Sequence, residues 1–421
     1  MKKILIVSAF APPDDLIGAV RIGHWIKYLL LEGHKVFLIT ANNSRIYPQS
    51  SNIDLKHQNL FIHRISFLPR IFNRKETNVI NNGPTLNQND GVLISALKKI
   101  KPLLGNIDYY IFWILPAMLR GRNLLKSHDF EFIVSSFSPS SSHLVASFLK
   151  KKSPKSRWIA DFRDLWSDNP NLKNFLVPFE NFIEKRVIRN ASKLIVVSDN
   201  AKKTLANKYP SKKIEVIENG FDPDEHNGWK KACVGPKYIK DTLLITYTGL
   251  INRKHRNPSI IFKAVSNLLS DKVITKDQIA INVYTQNKDT CLSILNESEI
   301  CNKDVVSIKS YVPRNLSLKI QKESDLLLLL ESPDQRGNGN LTGKVFEYLV
   351  SGVPILAAGM HENNLAKKLV LNTRTGIYSK NYEDIYKTLS LIINNKKISF
   401  YNPDLKKINY FSRVQQVKRL L

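Results

Sequence analysis

Cysteine is scarce in this 421-residue chain: Cys233, Cys291 and Cys301 are the whole complement, without metal-ligand spacing. That excludes a zinc knuckle or a disulfide framework and fits a reducing compartment. Long apolar runs are missing too. The most apolar stretch, YYIFWILPAML (Tyr109 to Leu119), contains Pro116 and falls short of the ~20 residues that span a bilayer. The opening MKKILIVSAF sets lysines before an apolar run, but the run is short, passes into APPDD and has no Ala-x-Ala exit. It reads as a first buried strand, not a secretion signal. No Gly-x-Gly-x-x-Gly turn follows that strand, which disfavours a nicotinamide oxidoreductase. Acidic residues are also few, 36 against 63 Lys+Arg, leaving a formal charge of +27.

Such a balance draws a protein toward polyanions: nucleic acid, anionic lipid or phosphorylated substrates. The cations are unevenly placed. KKKSPKSR (Lys150 to Arg157) holds five in eight residues, and Lys98, Lys99, Lys101, Arg120, Arg122 and Lys126 surround the apolar Tyr109 to Leu119 segment. An apolar stretch flanked by cations suits an anionic membrane face, each cation contributing about 1 kcal/mol. A compositional bias with solvated charges is the other reading. No recognised motif interleaves aromatics with the basic runs, so nucleic acid is not expected as a partner.

With 43% hydrophobic and 24% charged residues, the chain is globular and long enough for two domains of roughly 200 residues. KILIVSAF, the helical spacing of GAVRIGHWIKYLLLEGH and the strand Val36 to Thr40 make a strand-helix-strand unit of parallel α/β type. Further strands are expected at FIVSSF, WIADF, KLIVVS and KIEVIEN, then at LLITYTG, IAINVYTQ, VVSIKSYV, DLLLLLE and PILAAG. Between the two series lies a polar stretch containing Gly, Pro and Trp. The expected division is therefore an N-terminal domain 1–222, a linker 223–241, a C-terminal domain 242–404 and a terminal helix over about 405–421 that packs back on the first domain. Residues 73–90, rich in Asn and Gly, read as a loop. In doubly wound sheets ligands bind at the carboxyl ends of the strands, so the cleft between domains is the expected site.

GNGNLTGKVFEYLVSGVPILAAG (Gly337 to Gly359) is the most informative segment. Thr342 can cap a helix from about Gly343 to Ser351, with Gly352 in a left-handed stop and Pro354 barring continuation. The helix start offers amides and a positive dipole end to an anion. Lys344 adds a cation, and Glu347, on the same face, can accept hydrogen bonds from a ribose diol. The pattern fits a nucleotide diphosphate pocket, and equally a capped surface helix with an i,i+3 ion pair. Asp222-Pro223-Asp224 has the spacing of a metal-binding Asp-x-Asp, but beside a proline it reads as a turn.

GNGNLTGKVFEYLVSGVPILA resembles the donor-site segment of retaining glycosyltransferases of family 4, and the likeness runs through SAFAPPDDLIGAVRIGHWIKYLLLEGHKVFLIT, SSFSPSSSHL, WIADFRDLWSDN, LIVVSDNAKKTL, VIENGFD, YTGLINRKHRN and YFSRVQQVKRLL. It is strongest to bacterial members that build O-antigen or capsule. The resemblance implies a GT-B fold, two Rossmann-like doubly wound parallel-sheet domains facing across a cleft. It also implies sugar transfer from a UDP- or GDP-linked donor to a lipid-linked or polysaccharide acceptor, peripherally on the inner face of the plasma membrane. Amides of Thr342, Gly343 and Lys344 would hold the diphosphate, Glu347 the ribose and Arg253 a phosphate, with Lys254 or Arg256 as helpers; Val312 would line the base pocket. Gly339 stands where the family places the first of two glutamates.

Leaving-phosphate charge can be met by cations and helix-end amides, so no metal or cofactor is expected. In the first domain Gly18 would allow close approach to donor phosphate or acceptor, with Arg21 one turn beyond it; an ordinary loop glycine and a surface arginine are the alternative. Asp161, Arg163 and Asp164 end a strand, and Arg163 stands about where relatives carry a histidine. Asp161 is the candidate for the acceptor hydroxyl, or else braces the loop through Arg163. His143 is a further acceptor candidate or a structural histidine. The competing functions are a nucleotide-sugar epimerase of the same architecture and a non-catalytic polyanion-binding protein.

Overall fold

The computed structural model describes residues 1–14, 16–44, 53, 55–67, 110–169, 172–298, 303–333 and 341–421. The loop expected over 73–90, Lys98, Lys99, Lys101, Cys301 and Gly339 lie outside the described residues. The chain divides into two compact units, Met1–Glu218 with Val417–Leu421, and Asn219–Gln416.

The first unit holds β1 (Lys3–Val7), β2 (Lys35–Ala41), β3 (Leu60–Ile65), β4 (Phe132–Phe137), β5 (Arg157–Phe162), β6 (Lys193–Val196) and β7 (Lys213–Val216). They form one parallel sheet in the order β3-β2-β1-β4-β5-β6-β7. Central strands read as near-continuous apolar runs because helices cover both faces. The order reverses between β1 and β4, so right-handed crossovers send the helix Ile17–Leu31 to one face and the helices Ser141–Lys152 and Val177–Ile188 to the other. The helix Ile111–Ser127 packs beside Ser141–Lys152, and Trp113, Trp158 and Trp166 are fully buried in that layer.

In the second unit β8 (Lys237–Tyr238) precedes β9 (Leu243–Thr248), β10 (Ile279–Thr285), β11 (Val306–Ser310), β12 (Leu326–Leu330), β13 (Ile355–Ala358), β14 (Gly376–Ser379) and β15 (Lys397–Ile398). Six of these form a second parallel sheet, β11-β10-β9-β12-β13-β14, which reverses between β9 and β12, while β8 and β15 pair antiparallel. The expected pair of doubly wound parallel sheets is therefore present. β3 and β14, half-buried edge strands with weaker patterns, escape the sequence reading.

The stretch 223–241 counts with the second unit, because Trp229 and Cys233 join a cluster with Phe221, Phe346 and Val350. Asp222 accepts from the Asp224 amide at 3.0 Å, the turn expected there. The C-terminal segment is two helices, Leu405–Tyr410 in the second unit and Arg413–Leu420, whose last turn counts with the first. Lys193 Nζ holds that end through the Arg419 and Leu420 carbonyls at 2.7 and 3.2 Å. No helix among the described residues is long and apolar enough to cross a membrane.

Candidate functional site

At a strand-order reversal the loops leaving adjacent carboxyl ends splay apart and leave a crevice. In the second sheet those loops begin at Gly249, after β9, and Glu331, after β12, and the chain after β12 leads to the helix Gly343–Val350. Lys344, in the first turn, extends its ammonium over the Tyr247 ring, 4.1 Å from the centroid. A Cβ on Gly249 would lie 1.9 Å from Lys344 Nζ, and Gly249 has φ +151. Only glycine leaves that path open. Burial of the ammonium end, reinforced by Arg256 and opposed by Glu331 and Glu347, pushes Lys344 down to about 7.

Thr342 occupies the cap position with extended backbone, but its hydroxyl does not cap the helix. It donates instead to Glu331 Oε1 at 3.0 Å. The expected side-chain cap is thus replaced by a bond to Glu331, just after β12, and the first-turn amides keep no hydroxyl partner from Thr342. Glu331 Oε2 accepts from Arg256 Nε and Nη2 at 3.3 and 3.2 Å, so one carboxylate ties Arg256 to the helix start. Glu347 Oε1 accepts from Arg314 Nη1 at 2.6 Å, and Arg314 Nη2 donates to Glu225 Oε2 at 2.7 Å. Burial raises the Glu347 carboxyl, while the Arg314 charge pulls it back down. Val312 lies half-buried in the loop before Arg314.

Thr342, Gly343, Lys344 and Glu347 thus share one short helix with Arg256 beside them. Arg253 is set differently. Its guanidinium is half exposed and grips Glu297 through two hydrogen bonds of 2.6 and 2.7 Å, with Ser293 Oγ at 2.6 Å. That pairing holds the Glu297 carboxyl down at about 2. Lys254 is exposed. Arg256, Glu331 and Arg314 carry the geometry that the sequence reading ranked low or passed over. The available signal was an acid closing the leucine run of β12.

In the first unit the reversal between β1 and β4 gathers Arg21, Ser136 and Asp161. Arg21, read from the sequence as an acceptor-side residue or else a surface arginine, is fully buried. Its Nε and Nη2 donate to Asp161 Oδ2 and Oδ1 at 3.2 and 2.9 Å, and Nη2 and Nη1 reach the Ile217 and Glu218 carbonyls at 2.8 and 2.9 Å. Ser136 Oγ also donates to Asp161 Oδ2, at 2.8 Å. The Asp161 partner is therefore Arg21 and not Arg163, because β5 turns the carboxylate inward under the first helix. Arg163 lies instead against Gly18, where a Cβ would fall 2.7 Å from Nη1, and approaches Asp164 at 3.5 Å.

His143 is fully buried. Its Nδ1 lies 2.8 Å from Ser135 Oγ, which also accepts from Trp158 Nε1 at 2.8 Å. The ring sits 5.0 Å from that of Phe162, and burial pushes it down to about 3, leaving it neutral. Beyond Asp164 the chain is fixed by buried acids. Trp166 Nε1 donates to Glu180, and the Ser167 amide, Lys208 Nζ and Tyr209 hydroxyl donate to Glu184 at 2.9, 3.1 and 2.8 Å.

Residues 18–225 match the family model described as Glycosyltransferase Family 4. No curated protein matches the chain in sequence. Among solved structures it is similar to sucrose-phosphate synthase from Thermosynechococcus elongatus, with 12% identity, 100% of this chain and 95% of that chain covered, and a TM-score of 0.57. It is also similar to the lipopolysaccharide outer core galactosyltransferase WaaB in apo form, with 13% identity, coverage of 99% and 97%, and a TM-score of 0.56. A structure described as trehalose-6-phosphate from E. coli bound with UDP-2-fluoro glucose gives 13% identity, coverage of 100% and 98%, and a TM-score of 0.59. At such identities the likeness is one of fold, and the fold is GT-B.

Proposed function

We propose that this protein is a retaining glycosyltransferase that moves a hexosyl or N-acetylhexosaminyl group from a UDP- or GDP-linked donor to a lipid-linked or polysaccharide acceptor in bacterial surface glycan synthesis. The second unit takes the donor and the first takes the acceptor, and the protein works peripherally at the inner face of the plasma membrane. The observation that carries this reading is the convergence of Lys344, Arg256 and the uncapped start of Gly343–Val350 at the switch point of a doubly wound sheet. Fixed cations and amides there favour the diphosphate most as its negative charge develops, so bond cleavage is assisted without a metal. Glu347 accepts from the ribose, and the Arg314 charge opposes the burial that raises its carboxyl. Arg163 and Asp164, at the carboxyl end of β5, order the acceptor loop, while Asp161 and Arg21 brace it from beneath.

Calorimetry with uridine and guanosine diphosphates tests this. One of the two is expected to bind, and Glu347→Ala on a folded chain to weaken it by about tenfold or more, since a hydrogen bond to a charged group is worth ~1.5–3 kcal/mol. Unchanged affinity removes Glu347 from the site, and failure of both nucleotides removes the transferase reading. Product analysis separates it from an epimerase, which returns the nucleotide sugar inverted at one carbon and needs no acceptor.

A further inference from the structure

Two helices of the first unit carry the same surface stripe. On Ile111–Ser127 the residues Phe112, Leu115, Leu119, Arg122 and Lys126 recur at intervals of three and four and are all exposed, opposite the buried Trp113, Ala117, Gly121 and Leu124. On the turn and helix over 174–188 and its C-cap the pattern repeats as Phe175, Phe179, Phe182, Arg186 and Arg189, again exposed. Phe175, Leu115 and Phe182 are 65%, 64% and 64% exposed, and it is their grouping on two helices that sets them apart from apolar residues scattered singly over a surface. Both helices contact Ser141–Lys152, which lies between them and ends in three lysines.

The direction of these helices matters. Each leads into a strand of an all-parallel sheet, so all three run antiparallel to the strands and alike. Their aromatic and aliphatic ends therefore lie at the carboxyl edge of the sheet, where Arg163 and Asp164 also sit, and their cations lie toward the amino edge. Leu115 and Arg122 are separated by about 10 Å along the axis at ~1.5 Å per residue. The three helices contain no acid except Glu180 and Glu184, both fully buried.

We infer that this face docks on an anionic phospholipid bilayer, with the phenylalanine and leucine end in the acyl boundary and the basic end among the headgroups. The sizes agree: interfacial helices sink ~5–10 Å, which leaves the cations at headgroup level. A protein partner matched to this surface would be acidic and apolar in alternating zones; a bilayer of anionic lipid supplies both zones without further specification. The inference deepens the peripheral placement proposed above and adds an orientation. The carboxyl edge of the first sheet, with its acceptor loop, faces the membrane, so a lipid-linked acceptor reaches it without leaving the bilayer.

Sedimentation of the full chain with vesicles tests it, using phosphatidylcholine alone and phosphatidylcholine with phosphatidylglycerol. Binding is expected only to the anionic vesicles. Phe179→Ser with Phe182→Ser should reduce it about tenfold or more, as two inserted side chains are lost. Arg122→Gln with Arg186→Gln should reduce it about fivefold per charge and lower its salt sensitivity. Both variants should keep native circular dichroism and diphosphate affinity, so loss of vesicle binding is separable from failure of the donor site. Undiminished vesicle binding by the folded phenylalanine variant overturns the inference. So does a native dimer in light scattering that the same variant dissolves without change in vesicle binding, because the face would then join two copies of the chain.

Discussion

Arg21 and Asp161, 140 residues apart in sequence, hold each other through two hydrogen bonds of 3.2 and 2.9 Å with neither side chain exposed. The same guanidinium takes the carbonyls of Ile217 and Glu218, so the first helix, β5 and the chain's exit from the first unit meet on one group. With Ser136 also on the carboxylate, the geometry is that of a brace beneath the loop that follows β5.

Removing one member of that pair leaves an uncompensated charge in the interior. Asp161→Ala is expected to cost about 3–5 kcal/mol, and the double change Arg21→Met with Asp161→Leu to recover most of it. Urea denaturation of the two variants measures this. A single variant as stable as the native chain would mean that water reaches the pair.

Lys344 makes stability depend on pH in a definite direction. Its ammonium is lowered from 10.5 to about 7 by burial first and by Arg256 second. As pH falls through the window between those values the unfolded chain gains a proton that the folded chain refuses. Stability therefore declines from 10.5 toward 7 and levels off below, and Lys344→Met should flatten that slope. Denaturation midpoints across the window read the effect. In the same window, diphosphate binding should take up a proton, detectable by calorimetry in buffers of different ionisation heat.

Arg256 and Arg253 should separate cleanly. Arg256 lies at the helix start through Glu331, so Arg256→Ala should weaken diphosphate binding by about tenfold or more, the loss of one charge-assisted contact. Arg253 spends its guanidinium on Glu297 at the surface, and Arg253→Ala should change affinity by less than about threefold and leave stability nearly unchanged, since exposed ion pairs contribute little. The reverse ranking in titration calorimetry would return Arg253 to the phosphate.

The parallel sheets were legible because buried strands such as ILIV and LLLLL admit little else, and because helical spacing separates them. The helix Gly343–Val350 was legible for the same local reasons: small residues, a lysine and a glycine stop, with Gly352 at φ +81. Partners across the fold were not. Nothing near Asp161 announces Arg21, and nothing in NRKHRN says which cation faces Lys344, since both follow from strand order. Thr342 looked like a cap by composition, but an acid in the loop just after β12 competes for its hydroxyl and wins. The Phe175, Phe179 and Phe182 stripe is plain in sequence only once the opposite side of the helix is known to be covered.

Glu331 has one further consequence. Arg256 sits close enough to Lys344 to disfavour the ammonium charge, and Glu331 holds Arg256 while favouring that charge. On the proposed chemistry an arriving pyrophosphate exchanges one anion for another instead of entering an empty cationic hole. A resident counter-ion of this kind limits how tightly a spent nucleotide is retained, and gives Arg256 a neighbour to return to when the product leaves.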